Sequence, residues 1–442
     1  MTNPVAIVRA LVSTVILYGI AVGTGAGGMA LAAERLVRPG LDNLAAAVAS
    51  AKSGDRLVIA AGHHHGSIVL DRPLTLIGQI GAVIDGDGAG SVIRITSPGV
   101  SVRGLGVTGS GLSLKDMDAG IFIDRGGKGA VVEGNSLRNN LFGVYLYGSD
   151  RALVRDNDIV GRNDLRVNER GNGISLWNAP GAQVINNRVS QGRDGIFVNT
   201  SKRNRFIGNT FRDVRIAVHY MYANQSEVSD NISIGNHVGF ALMYSRGLTV
   251  RGNISRNDRD HGILLNFTNS STVTGNWVDG GGGKCVFIYN SSKNRFFGNR
   301  FEGCPIGVHF TAGSERNDIY DNAFIGNRTQ VKYVGSRMLD WSHDGRGNYW
   351  SDNPAFDLNG DGIADAVYRP NNLVDHVVWR HPRAKLLLNS PAMQILRFAQ
   401  NQFPALLPGG VIDSASLMTL PEGSPGNAAG EMQLGKGHGH DN

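Results

Sequence analysis

One stretch, AVHYMYANQSEVSDNISIGNHVGFALMYS (residues 217–245), carries an imidazole, His219, and two thioethers, Met221 and Met243. Soft ligands of this kind suit Cu(I). Methionines at such spacing are also ordinary packing residues, so the chemistry depends on where the backbone places them. A second set lies in DLNGDGIAD. There Asp357, Asn359, Asp361 and Asp365 alternate around a glycine, as in the opening of a calcium loop. The carboxylate expected at position twelve is replaced by Tyr368, and Arg369 follows. The pattern points to Ca2+ or a similar hard cation, with a hydrogen-bonded Asx-turn loop as the alternative.

Other metal-capable residues are His63, His64 and His65, and His438 and His440 near the end of the chain. Three consecutive residues on a strand cannot all face one ion. Cys285 and Cys304 are the two cysteines. A disulfide between successive rungs, two buried thiols and a thiolate site all remain open for them.

These side chains sit on a repeat. Segments ending in asparagine recur: VEGN, VRDN, VINN, FIGN, VSDN, VRGN, VTGN, FFGN and IYDN, closing at Asn135, Asn157, Asn187, Asn209, Asn231, Asn253, Asn276, Asn299 and Asn322. The eight steps are 22, 30, 22, 22, 22, 23, 23 and 23 residues, and the long one holds the insertion GRNDLRVNERGN. Short strands and Gly/Asn turns at this period predict an all-β fold, a right-handed parallel β-helix with 22–23-residue rungs. The repeated asparagines fit an internal amide ladder.

A longer strand follows each asparagine: GIFID, GVYLY, GISLW, GIFVN, AVHYM, GFALM, GILLN, CVFIY, GVHFT and QVKYV. Its second and fourth positions are apolar throughout and should face inward, because alternate residues of a strand share a face. The third and fifth should face solvent. They carry Phe122, Tyr145, Tyr147, Trp177, His219, Met221, Met243, Phe287, Tyr289 and His309, which is unlike a solvated surface. An exposed apolar stripe marks a binding face, unless a loop or the terminal helix covers it. His219 and Met221 fall on one face about 7 Å apart, and Met221 and Met243 stack at roughly 4.8 Å.

Of the 442 residues, 61 are glycine, without a collagen period, and the net charge is +6. Basic residues are scattered singly and no nucleic-acid motif accompanies them, so no nucleic-acid partner is expected. Arg9 precedes an apolar stretch ending in Ala30-Leu31-Ala32, which reads as a signal peptide over 1–32. The remaining boundaries are an N-terminal cap and first rungs over 33–95, the coil over 96–335, a C-terminal cap over 336–420 and a disordered tail over 421–442. Within the C-terminal cap, a short amphipathic helix starts at Ser390 as N-cap. The outward columns hold one Asp, Asp124, and one Lys, Lys332, far apart. A carbohydrate-active β-helix, the alternative function, needs clustered carboxylates there.

Beyond the plain repeat, the blocks HYMYANQSEVSDN, GNHVGFALMYS, DHGILLN, KCVFIYN, GVHFTAGSERN, NRTQVKYVG, GRGNYWSDNPAFDLNGDGIADAVYRP and SPAMQILRFAQNQFPALLPGGVIDS are similar to those of the NosD family, periplasmic maturation proteins of nitrous oxide reductase. The resemblance covers nearly the whole chain after the signal. It implies a non-enzymatic protein working with an ABC permease and its ATPase, and with a copper chaperone lipoprotein. The role it implies is in assembling the copper-sulfide centre of nitrous oxide reductase. Attachment to the membrane would be peripheral, through the permease. The resemblance supplies no fixed ligand set, so His219, Met221 and Met243 as Cu(I) ligands rest on spacing and softness alone.

Overall fold

A computed structural model describes residues 33–40, 43–333, 335, 337–403 and 409–426. The signal segment 1–32, Val334, and His438 and His440 lie outside the described residues. The chain winds through about 14 turns of a parallel β-solenoid. Each turn contributes one strand to each of three sheets, of 13, 12 and 13 strands. The first and third sheets are built mostly from three-residue strands. The second holds the longer strands, such as Ile216–Met221 and Val238–Met243.

The core follows the alternation read from the sequence. The second-position column, from Ile121 to Val331, and the fourth, from Ile123 to Tyr333, are buried in every rung. Between them they fill the interior with β-branched, aromatic and leucine side chains, most of which pack well on a pleated surface.

The asparagines form one continuous amide ladder. Asn231 is representative: its Nδ2 donates to Phe206 O at 2.8 Å and to Asn253 Oδ1 at 2.9 Å, while its own Oδ1 accepts from Asn209 Nδ2 at 3.0 Å. The residue before each ladder asparagine is Gly134, Asp156, Asn186, Gly208, Asp230, Gly252, Gly275, Gly298 or Asp321, and all have positive φ. Only Gly, Asn and Asp visit that region at little cost, so the recurring GN, DN and NN pairs are turn chemistry. The ladder runs on to Asn348, whose backbone N and Nδ2 both donate to Asp413 Oδ2, at 2.7 and 3.1 Å. Trp350 Nε1 donates to the same oxygen at 2.7 Å.

Among the described residues three α-helices flank the coil: α1 (Asn43–Ser50), α2 (Leu373–Arg380) and α3 (Pro391–Gln402). Helix α1 buries Leu44, Ala47 and Val48. Ser390 caps α3 by accepting from Met393 N. The sequence reading contains α3 but not α1 or α2. Both are single short helices, where an apolar period has little length to register. No helix among the described residues is long and apolar enough to cross a membrane. Of the tail read as disordered over 421–442, Pro421–Gly426 is described and is ordered: Ser424 is buried, and Arg300 Nη1 donates to Pro425 O at 3.2 Å; the rest lies outside the described residues. A disulfide joins Cys285 to Cys304, 19 residues on, and so excludes a thiolate site.

Candidate functional site

The outer face of the second sheet is where the chemistry-bearing side chains gather, and it is less open than alternation suggests. Phe122, Ser175 and Ala241 are buried, and most other outward positions are half-buried. Two causes are visible. Rings in adjacent rungs cover one another, as Phe122 and Tyr145 do at 5.5 Å and Tyr147 and Trp177 at 4.7 Å. In addition, Leu165 of the insertion packs, as Tyr145 and Tyr147 do, against the buried cluster of Ala119, Phe122, Leu141 and Phe142. Asp124 is not free either, because Arg94 Nη1 binds it at 3.0 Å.

In mid-sheet, Met221 and Met243 are direct Cα partners in adjacent rungs. Both are half-buried, between Asn199 and Asn266 of the same column. His219, two residues before Met221, is held by residues the sequence reading missed. Its Nδ1 lies 3.0 Å from Asp194 Oδ2, and Arg215 closes on the same carboxylate through Nε at 2.8 Å and Nη2 at 2.6 Å. Burial raises the Asp194 carboxyl, but hydrogen bonds from His219 and Arg215 outweigh it and the net shift is downward. A local irregularity in the pairing, which skips Gly195 and Ala217, brings Asp194 onto the face shared with His219. Asp194 stands in register with Ile216 and, one rung on, Val238, but the same column continues with His261 and Lys284, so the pattern does not single it out.

Beside this cluster, an open groove of about 450 Å³ runs past the insertion, lined by Arg170, Arg215, His237 and Arg259. Further along the face, His309 stacks on Phe287 at 4.7 Å. Burial lowers its pKa to about 4, and the charges of Lys332 and Lys284 and nearby His261 add to the effect.

In seven rungs the turn that follows these strands opens on a residue at positive φ. It is Gly148, Asn178, Thr200 and Asn290 in four rungs, but Tyr222, Tyr244 and Phe267 in three consecutive ones. For bulky residues that conformation costs about 1–2 kcal/mol each. These rings are not buried: they are 50%, 39% and 41% exposed and stack on one another at 5.2 Å.

The calcium-like loop is closed on itself. Asp357 Oδ1 accepts from Gly360 N and its Oδ2 from Gly362 N. Asp361 Oδ1 accepts from Ile363 N, and Asp365 Oδ2 from Leu358 N. The backbone hydrogen bond from Gly362 is the largest cause lowering the Asp357 pKa. Among the described residues no group of three or more His, Cys, Asp or Glu is placed to hold a metal ion. These bonds are those of an Asx-turn loop, and each carboxylate oxygen still has a lone pair directed elsewhere. Copper is different, since the donors in question are thioethers and one imidazole. A histidine ligand commonly gives its second ring N–H to a carboxylate, which fixes the tautomer and frees the other nitrogen. Asp194 holds Nδ1 of His219 in that way, so the donor set fits a soft ion.

The fold is a parallel β-solenoid, and the candidate side chains ride on one of its sheets. The model of the family described as "Periplasmic copper-binding protein (NosD)" matches residues 155–355. A Pseudomonas aeruginosa protein named probable ABC transporter binding protein NosD is 45% identical over 383 residues, covering 84% of this chain and 90% of that protein. A Stutzerimonas stutzeri protein of the same name is 43% identical over 381 residues, covering 83% and 87%. The chain belongs to the NosD family, which is periplasmic by its description. Among solved structures, a family 28 exopolygalacturonase of Yersinia enterocolitica aligns with a TM-score of 0.52 at 13% identity, over 68% of this chain and 77% of that one. PfbA, a surface adhesin of Streptococcus pneumoniae, aligns with a TM-score of 0.50 at 10% identity, over 67% and 88%. At such identities the likeness is one of fold alone.

Proposed function

We propose that this chain holds Cu(I) as cargo on the outer face of its second sheet and serves assembly of the copper-sulfide centre of nitrous oxide reductase. The carrying observation is the register of Met221 and Met243, which sets two thioethers side by side at half-buried positions. His219 Nε2 is the third donor, with Asp194 fixing the proton on Nδ1. A copper chaperone lipoprotein supplies the ion, and residues 1–32 act as the export signal.

The relatives' names support work with an ABC transporter, and the partners within it are its permease and its ATPase. The C-terminal hairpin offers a surface for the permease. Helices α2 and α3 pack through Val374, Val378 and Met393, leaving Leu386, Leu387, Ile395, Phe398 and Phe403 exposed. From Trp379 to Phe403 the sequence has no Asp or Glu, while Arg380, Arg383 and Lys385 are all exposed. An apolar patch with a basic rim suits a protein seated at a membrane surface.

A polysaccharide enzyme gains nothing from this geometry. Asp194, the carboxylate beside His219, is 1% exposed and held by two partners, so it has no access to a substrate proton. The test is titration of the mature chain with Cu(I) against a competing chelator. The variant Met221→Ala/Met243→Ala should bind roughly a hundredfold more weakly, about 2.7 kcal/mol. Equal affinity in variant and parent would sink the assignment.

A further inference from the structure

The sequence sets three histidines in a row, His63, His64 and His65, and the fold sorts them. They lie on Gly62–His65, the strand at the N-terminal edge of the third sheet. Alternation turns His64 inward, where it is 1% exposed and its Nε2 donates to Ala60 O at 2.9 Å. His63 and His65 project together from the outer face. Both are exposed, with ring centres 6.4 Å apart and planes 27° from parallel.

His65 is held in one orientation. Its Nδ1 donates to Asp87 Oδ1 at 2.9 Å, and Oδ2 of the same carboxylate accepts from Gly66 N at 3.1 Å. Asp87 is fixed in turn, because its own N–H donates to Asp85 Oδ1 at 3.0 Å. Nε2 of His65 is thereby left with a free lone pair. A carboxylate on one imidazole nitrogen is the usual companion of a metal on the other. Asp85, the register partner of His65, adds a second negative charge on the same face. An ion about 2.0–2.1 Å from one nitrogen of each ring sets the ring centres roughly 5–6 Å apart. A small turn of two exposed side chains supplies the difference from the observed 6.4 Å.

We propose that His63 and His65 form a surface site for a divalent ion of the Zn2+ or Cu2+ class, with Asp87 as positioning residue and water completing the coordination shell. Imidazole suits such ions, while thioethers suit Cu(I). The site is therefore separate in chemistry and in place from Met221 and Met243, which lie on the second sheet in mid-solenoid. Two protein ligands make an exchangeable site, since a closed structural zinc site takes four. The inference does not rest on the copper reading above, and either stands without the other.

The test is calorimetric titration of the mature chain with Zn2+, in a background of His438→Gln/His440→Gln that removes the two histidines near the end of the chain. Zn2+ is the probe because it has no redox chemistry and thioethers favour Cu(I) over it. The background chain should bind one equivalent that His63→Gln/His65→Gln loses or holds roughly a hundredfold more weakly. Asp87→Asn should weaken binding roughly tenfold. It should also mix the His65 tautomers in a nitrogen NMR spectrum, which a merely structural role would not do. Asn tolerates the left-handed backbone at that position, where φ is 55°, and a thermal melt checks folding of each variant. Cu(I) affinity by chelator competition should be the same in all of them. Equal Zn2+ binding with and without His63 and His65 overturns the site, as does a background chain that takes up no Zn2+. Unchanged affinity and tautomer in Asp87→Asn overturn its positioning role. A fall in Cu(I) affinity in His63→Gln/His65→Gln overturns the separation of the two sites.

Discussion

Nδ1 of His219 lies 3.0 Å from Oδ2 of Asp194, a carboxylate 1% exposed that Arg215 grips from the other side. The pair fixes which imidazole nitrogen carries the proton and leaves Nε2 as the available donor. Asp194→Asn should therefore weaken Cu(I) binding by roughly tenfold to a hundredfold without removing a ligand. Chelator competition reads this directly, and an unchanged affinity would detach His219 from the copper site.

The amide ladder predicts a large local cost for a small change. Asn231→Ala strips partners from buried groups in the rungs on both sides, since Asn209 and Asn253 each bond to it or receive from it. A loss of about 2–4 kcal/mol is expected from urea unfolding. Asp413→Ala should cost a similar amount by orphaning Asn348 and Trp350, both buried. A loss within a few tenths would mean that water replaces these bonds.

His309 gives a pH dependence with a definite sign. Its folded pKa of about 4 lies below the ordinary 6.5, so on acidification the unfolded chain takes the proton first. Stability should fall between pH 6.5 and about 4 and gain no further penalty from this residue below that. His309→Gln, still facing Lys284, Lys332 and His261, should flatten that slope. Urea midpoints at neutral and mildly acidic pH compare the two, and equal slopes would assign the dependence elsewhere.

The Cys285–Cys304 disulfide closes a loop across 19 residues. Replacing both cysteines with alanine should lower stability by roughly 3 kcal/mol through the added freedom of the unfolded chain. Reductant should reproduce the effect in the parent and have none on the variant.

For the Asp357 loop the expected outcome is indifference to calcium. Chelator or added Ca2+ should leave the melting temperature unchanged, because Tyr368 replaces the position-twelve carboxylate and the loop is held by its own backbone amides. Asp357→Ala should instead speed amide exchange at Gly360 and Gly362. A calcium-dependent rise in melting temperature would restore the hard-cation reading.

Which parts of this were legible depends on how far apart the partners lie in sequence. The inward columns, the ladder from Asn135 to Asn322 and the outward placement of His219, Met221 and Met243 all follow from a period of 22–23 residues, so pattern alone reveals them. Asp413 was not legible as the ladder's end, because it meets Asn348 from 65 residues away, outside the repeat. Asp194 was hidden by the pairing irregularity that brings it onto the His219 face. The packing of Leu165 against the cluster that holds Phe122 depends on where a non-repeating insertion folds. The turn aromatics were visible as letters, but their strain appears only with φ.

The ladder from Asn135 to Asn348 also sets how this protein can change in length. Each asparagine must meet its counterpart directly above and below, as Asn209, Asn231 and Asn253 do. A single inserted residue inside a strand would throw the column out of line and turn every later side chain to the wrong face. Growth is therefore granular. Whole coils can be added or lost, and extra residues are tolerated at bends, as the 161–172 insertion shows. The reach of the molecule away from whatever anchors its C-terminal end is thus a count of coils, adjustable over evolution in steps of roughly 4.8 Å.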